Sequence, residues 1–220
     1  MDSLKTYKPG LYYKKVKAAK ERVIANLSNL KNSGLNLLLD FSIASSIVNP
    51  TDSLCLVPIV NSEGKIGFVS KEYDIIVNPC YDEIKGAFYN NNNIVAVKRD
   101  NLWNVIDVNG NLLLDDWSKY TIVPSVDSRM ITINSKSIMN VDKGGMPKHF
   151  KDAMYIGQFR YGYARLHSDN GRWGIINEKG HIVLSTIYYE MYSFHDFPEP
   201  TTLVRKEKEG NQELIILQNL

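Results

Sequence analysis

The sequence predicts an all-β repeat body of about five three-stranded units, preceded by one amphipathic α-helix. Three observations carry this prediction. An apolar period of 3.6 residues runs through residues 1–33 and then stops. Beyond it, short apolar runs alternate with turn signals such as Asn109–Gly110, Gly144–Gly145 and Lys179–Gly180, the pattern of many short antiparallel strands. Finally, an aromatic residue followed 16 positions later by an aliphatic one occurs five times in succession.

The helix comes first. Tyr12, Val16, Ala19, Val23, Leu27 and Leu30 share one helical face. Pro9–Gly10 is expected to break the chain just before it, and Gly34 to close it in the left-handed conformation. Residues 1–33 hold eight bases and two acids, a balance of +6, and the remainder carries −4. Lys14, Lys15, Lys17, Lys20 and Arg22 form a basic face off the apolar stripe. Three readings compete: a helix docked on its own body, a helix that docks on a partner or self-associates, and a helix that binds nucleic acid or an anionic surface. Scarcity of arginine weighs against the last, since phosphate readers favour the guanidinium fork. The domain reading is a basic helical arm, 1–33, and a β-repeat domain, 34–220.

The repeat is set by the anchors Phe41, Tyr81, Trp117, Phe150 and Tyr188. Sixteen residues on stand Val57, Val97, Ile133, Leu166 and Val204, and two before those stand Cys55, Val95, Ile131, Ala164 and Thr202. An i, i+2 apolar pair is the inward face of a strand. A leading strand precedes each later anchor: Ile66–Val69, Trp103–Asp107, Met139–Asp142 and Trp173–Asn177. A hairpin and a second strand then run into the anchor. Unit length is expected to vary in that hairpin, because only ten residues separate Asn140 from Phe150 while fourteen separate Gly67 from Tyr81.

The run Arg172-Trp173-Gly174-Ile175-Ile176-Asn177-Glu178-Lys179-Gly180-His181-Ile182-Val183 resembles the core of the bacterial WG (KWG) β-repeat, and Tyr161–Leu166 resembles the segment before such a core. In the other units Ile66-Gly67, Trp103-Asn104 and Met139-Asn140 replace the Trp-Gly pair. The resemblance implies an all-β repeat protein of bacteria and their phages, generally without an assigned enzymatic activity, and it supplies no catalytic residues.

The first unit lacks a leading strand, and the C-terminal run Glu213–Gln218 is a leading strand with nothing after it. Joined, the two ends make one unit, as a closed propeller-like or barrel-like body requires, since closure removes exposed strand edges. The alternative is an open twisted array with capped ends.

Function classes narrow by exclusion. With 44% hydrophobic and 23% charged residues the chain is neither disordered nor fibrous. No apolar run approaches the roughly 20 residues of a membrane span, and the start, MDSLKTYKPGLYYKK, has no apolar stretch of a signal peptide. A cytoplasmic protein, or one assembled in a phage particle, is expected. Cys55 and Cys80 are read as free thiols in the packed body. Neither they nor His149, His167, His181 and His195 have metal-ligand spacing, and neither a metal nor a cofactor is expected. His195–Asp196 has no nucleophile turn beside it. Asp115–Asp116 and Asp82–Glu83 are the nearest thing to paired carboxylates and read as turn acids, with a glycan-active enzyme as the minor alternative.

The leading expectation is therefore a non-enzymatic protein-interaction module, or a structural component of a larger assembly. Its candidate surface lies in the loops between an anchor and the following strand, which carry Tyr89, Tyr155, Phe159, Tyr161, Tyr192, Phe194 and Phe197.

Overall fold

The computed structural model describes residues 9–38, 56–86, 93–193 and 200–217, with helix side chains from Lys17 onward. Phe41, Cys55, Tyr89, Phe194, His195 and Phe197, and the side chains of Tyr12, Lys14, Lys15 and Val16, lie outside the described residues.

Helix α1 spans Pro9–Asn32. Pro9 opens it instead of breaking the chain before it. At the first helical position the missing N–H would have had no intrahelical acceptor, so proline costs nothing there. Gly34 ends the helix as expected, at φ +70°. Its N–H donates to the Lys31 carbonyl at 3.1 Å, and the Leu35 N–H donates to the Leu30 carbonyl at 3.0 Å. These are the two bonds that satisfy the last carbonyls of a Schellman ending. The predicted apolar face is buried only towards this end: Leu30 is buried, Val23 and Leu27 half-buried, Ala19 exposed. The Arg22 guanidinium pairs with the Asp74 carboxylate, and Asn26 Nδ2 donates to the Glu72 carbonyl at 2.7 Å and to Asp74 Oδ1 at 3.1 Å.

The strands form five antiparallel sheets among the described residues. The first holds β1 (Asn36–Leu37), β2 (Val57–Val60), β3 (Ile66–Val69) and β4 (Ile75–Tyr81). The second holds β5 (Glu83–Lys85), β6 (Ile94–Arg99) and β7 (Leu102–Asp107). The third holds β8 (Ile122–Pro124), β9 (Met130–Ile133), β10 (Ser137–Asn140) and β11 (Lys148–His149). The fourth holds β12 (Ala153–Ile156), β13 (Tyr163–Ser168), β14 (Trp173–Asn177) and β15 (Ile182–Tyr188), and the fifth β16 (Glu190–Met191), β17 (Thr201–Arg205) and β18 (Gln212–Ile216). Each sheet is a meander in chain order. The chain divides into two compact units, one of α1 with the first sheet and one from Tyr81 onward with the other four.

The sheets are offset from the predicted units. The third strand of one predicted unit pairs with the leading strand of the next, as β6 does with β7 and β13 with β14. Tyr81 and Tyr188 show why. Each ends the last strand of a sheet as a buried ring, and the next sheet begins two residues later. The anchor thus ends a sheet and does not lie in the middle of one. The short strand after Tyr81, Trp117, Phe150 and Tyr188 was not predicted; among the described residues the first, third and fourth sheets have four strands where three were expected, and the second and fifth have three.

The ends differ from the expectation of a composite unit. β18 pairs along its whole length with β17, from Thr201–Ile216 to Arg205–Gln212. β1 pairs with β2. Each terminal segment therefore completes the sheet of its own neighbours, and none of the five sheets closes on itself.

Within the second unit the core lies between successive sheets. One cluster joins Ile94, Ala96, Trp103 and Val105 of the second sheet to Ile122 and Ile131 of the third. A second joins Met130 and Ile138 of the third to Ile156, Leu166 and Ile176 of the fourth. A third joins Ile175 and Tyr188 to Met191 and Val204 of the fifth. Such a sheet cannot bury its apolar face alone; stacking on its neighbours does so, at roughly 1.5–3 kcal/mol per fully buried aliphatic side chain. Three of the predicted i, i+2 pairs are buried at both positions, Val95 with Val97, Ala164 with Leu166, and Thr202 with Val204; Ile131 is buried and Ile133 half-buried, and Cys55 lies outside the described residues.

The hairpins reuse one turn. Asn61, Asp107 and Asn177 each accept, on a side-chain oxygen, the N–H groups two and four residues ahead, at 2.9–3.1 Å. Gly64, Gly110 and Gly180 follow at φ +78°, +81° and +71°. An Asx acceptor that orders the turn and a glycine that takes the left-handed corner are complementary. Partial burial pushes the Asp107 carboxyl up, but hydrogen bonds from Asn111 and Asn109 outweigh this and hold it below the usual carboxylate range.

Candidate interaction site

The repeat motif has a steric cause. Trp173 pairs with the anchor Tyr188 and Ile175 with Leu184, so three residues between Leu184 and Tyr188 bulge opposite Gly174. A Cβ on Gly174 would lie 2.5 Å from the Leu184 carbonyl oxygen and 3.0 Å from the Thr186 nitrogen. Gly67 repeats the arrangement, with the Val77 carbonyl oxygen at 2.4 Å and the Pro79 nitrogen at 2.6 Å from such an atom. Glycine is required at both for close backbone approach, not for an unusual φ. Trp173 stacks on His167 with ring centroids 4.3 Å apart and lies under the Arg165 guanidinium at 5.2 Å, closing the seam to the fifth sheet.

A family model described as "WG containing repeat" matches residues 60–103 and 173–196, which hold these two glycines. These two segments match the WG repeat. A comparison with curated proteins gives no match. Among solved structures, the chain is similar to the computationally designed Ika8 protein, at 12% identity and a TM-score of 0.38, over 74% of this chain and 55% of that one. It is also similar to BamB from Moraxella catarrhalis, at 13% identity and a TM-score of 0.38, over 74% of this chain and 61% of that one. This chain thus spans little more than half the length of either.

The other repeats adapt the glycine position. In the second and fourth sheets register identifies it, because Gly174 faces Leu166 and Asn104 faces Val97, whereas in the first sheet Gly67 faces Ile59 and not Val57. Asn104 is fully buried; its Nδ2 donates to the Leu114 carbonyl at 3.0 Å, and its Oδ1 accepts from Leu114 N at 3.2 Å and Val105 N at 2.7 Å. The side-chain amide stands in for a ladder peptide where the second strand has withdrawn. In the third sheet Ile133 faces Ser137, so the glycine position there is Ser137 and not Asn140. Ser137 precedes Phe150 by thirteen residues, in line with the other repeats. Length variation therefore lies in the preceding hairpin: Ile133 and Ser137 are four apart, Leu166 and Gly174 eight.

The candidate surface residues divide. Tyr155 and Tyr192 are each 41% exposed. Phe159 is 1% exposed and belongs to the core between the third and fourth sheets, so it is not a surface residue. Its carbonyl accepts from Ser125 Oγ at 3.0 Å and Val126 N at 3.1 Å, which ties the loop of one sheet to the next. Tyr161 is half-buried, at φ +56°, in a two-residue turn with Gly162, and its N–H donates to Asp127 Oδ2 at 2.7 Å. The ring packs on the core cluster that holds Tyr188, which accounts for a tyrosine where asparagine or glycine is easier. Tyr120, at 46% exposure, was missed. Its signal was available: Tyr120, Tyr155 and Tyr192 follow the anchors Trp117, Phe150 and Tyr188 by three to five residues.

Of the basic helix face, Lys17, Lys20 and Arg22 are exposed, and Arg22 is engaged by Asp74. The acids do structural work or face solvent. Asp82 Oδ2 accepts from the Asp100 N–H at 2.9 Å, Glu83 pairs with Lys98 at 3.3 Å, and Asp115 and Asp116 are exposed. Among the described residues no three His, Cys, Asp or Glu side chains are grouped to hold a metal ion.

Proposed function

We propose that this chain is a non-enzymatic protein-interaction module. The observation that supports it is an exposed tyrosine three to five residues after each of three successive anchors, Tyr120, Tyr155 and Tyr192, on the first strand of successive sheets or beside it. A tyrosine brings a large apolar area with a polar tip and little conformational entropy to lose, which suits a contact surface. The stacked sheets below hold such a row in place, since loops on a rigid framework carry function without disturbing the ladder. The same reading places the second contact, if the helix takes part, on Lys17 and Lys20, because Arg22 and Asn26 are bonded to the Glu72–Asp74 turn.

The test is crosslinking followed by affinity purification from cells with the full chain and a Tyr120→Ala, Tyr155→Ala, Tyr192→Ala variant. All three are exposed, so the melting temperature is expected to stay within a few degrees. A partner lost by the triple variant and kept by Lys17→Ala, Lys20→Ala supports the tyrosine surface. A partner kept by the triple variant refutes it.

A further inference from the structure

Two adjoining cavities lie between hairpin tips of the third and fourth sheets, inside the second unit. One, of about 280 Å³, is walled by Tyr161 and Tyr163 and by the turns at Asn140–Lys143 and Asn177–Lys179. The other, of about 220 Å³, is lined by Met139 and Met146 and shares Asn140, Lys143, Glu178 and Lys179 with the first.

The shared wall is rich in donors. Asn140 and Asn177 each spend Oδ1 on turn amides, at 3.0–3.3 Å. That orients both amides and leaves each Nδ2 available. The Lys143 and Lys179 ammonium groups have no ion pair among the described residues. Lys148 lines the second cavity with its Nζ on the Gly180 carbonyl at 2.7 Å. Against these three cations stands one lining carboxylate, Glu178. This is a local excess of positive charge on a body, residues 34–220, whose balance is −4. Met139 and Met146 add apolar surface to the otherwise polar second cavity, and Met146 is 94% exposed. An exposed thioether is a pliable surface for an apolar side chain.

We propose that this double cavity takes a polypeptide segment that presents an acidic side chain beside an apolar one. The carboxylate meets Lys143, Lys179 and the two Nδ2 groups, and the apolar side chain covers Met139 and Met146. The proposal rests on the interaction-module reading above. A free inorganic anion would leave the methionines in water. A nucleic acid would find no arginine fork on either wall.

The experiment is an NMR titration of the ¹⁵N-labelled full chain with a capped Gly-Asp-Leu-Asp-Leu-Gly peptide. Comparison probes are the same peptide with both Asp replaced by Asn, the same with both Leu replaced by Ser, sodium phosphate, and a twelve-residue oligothymidylate. Amide shifts are expected at residues 139–146, 161–163 and 177–180. Binding should weaken about tenfold on either peptide replacement and in Lys143→Glu, Lys179→Glu. Both lysines are exposed, so that variant should keep its melting temperature, and the peptide comparisons stand without it. No shifts at millimolar peptide, equal binding of the Asn peptide, or tighter binding of phosphate or oligothymidylate at these amides would each overturn the proposal. If it is overturned while the tyrosine triple variant still loses its partner, the cavity alone fails and the module reading stands.

Discussion

Gly174→Ala is the sharpest test of why the WG motif needs glycine. At an ordinary strand position the substitution should stabilise by about 0.4–1 kcal/mol, because alanine has less backbone freedom to lose on folding. Here the new Cβ would stand 2.5 Å from the Leu184 carbonyl oxygen, 2.9 Å from Thr186 Cγ2 and 3.0 Å from the Thr186 nitrogen. Two of these three are backbone, so no rotamer change relieves them. β15 must move out by roughly 1 Å to reach ordinary contact, against the ladder bonds on both sides of the bulge. Overpacking of this kind costs about 1–3 kcal/mol. Set against the entropic gain, the net loss is about 1–2 kcal/mol, or roughly 2–8 °C in melting temperature. The control is Gly157→Ala in the same unit, where the nearest atoms to a new Cβ lie at 3.6–3.8 Å. It should be neutral or slightly stabilising. Thermal and urea unfolding followed by circular dichroism measure both. A Gly174→Ala protein as stable as the Gly157→Ala protein would refute close approach as the reason for the motif.

Three further outcomes are expected. Phe159→Ala should cost about 3–5 kcal/mol, as truncation of a buried ring does, whereas Tyr155→Ala should stay within about 0.5 kcal/mol; urea midpoints distinguish them. Asn104→Ala strands the Leu114 N–H and carbonyl beside a buried strand and should cost about 2–3 kcal/mol, read the same way. Asp107→Asn should lower stability by about 1 kcal/mol at neutral pH. The folded carboxyl titrates below its unfolded value, so its stabilisation is complete above the ordinary carboxylate pKa of about 4 and fades as pH falls through the folded value. The gap between wild type and variant, measured by melting at pH 7 and pH 3, should shrink at the lower pH.

Much of the molecule was legible in the sequence because its signals are local. The helical stripe, the Gly34 ending, the Asx–glycine turns and the i, i+2 inward pairs each depend on residues within a few positions of one another. So does the WG resemblance at 173–183, which the matched segments bear out. The glycine position of the third repeat was misread at Asn140 for the same reason. Sequence spacing to the anchor was measured through the wrong hairpin, and only the pairing of Ile133 with Ser137 corrects it.

What the sequence by itself determined is the repeat: strand faces, turn chemistry and the places where backbone must come close. Tertiary structure decided where each sheet begins and ends and which apolar residues are surface. A strand's alternation says which side faces inward but not which neighbour it bonds to, so the anchors read as centres of units although Tyr81 and Tyr188 end sheets. Phe159 and Tyr155 occupy one short segment and look alike in sequence. One is buried because the loop of the preceding sheet bonds across it, and the other is left in solvent. That difference comes from packing between sheets, which no local pattern records.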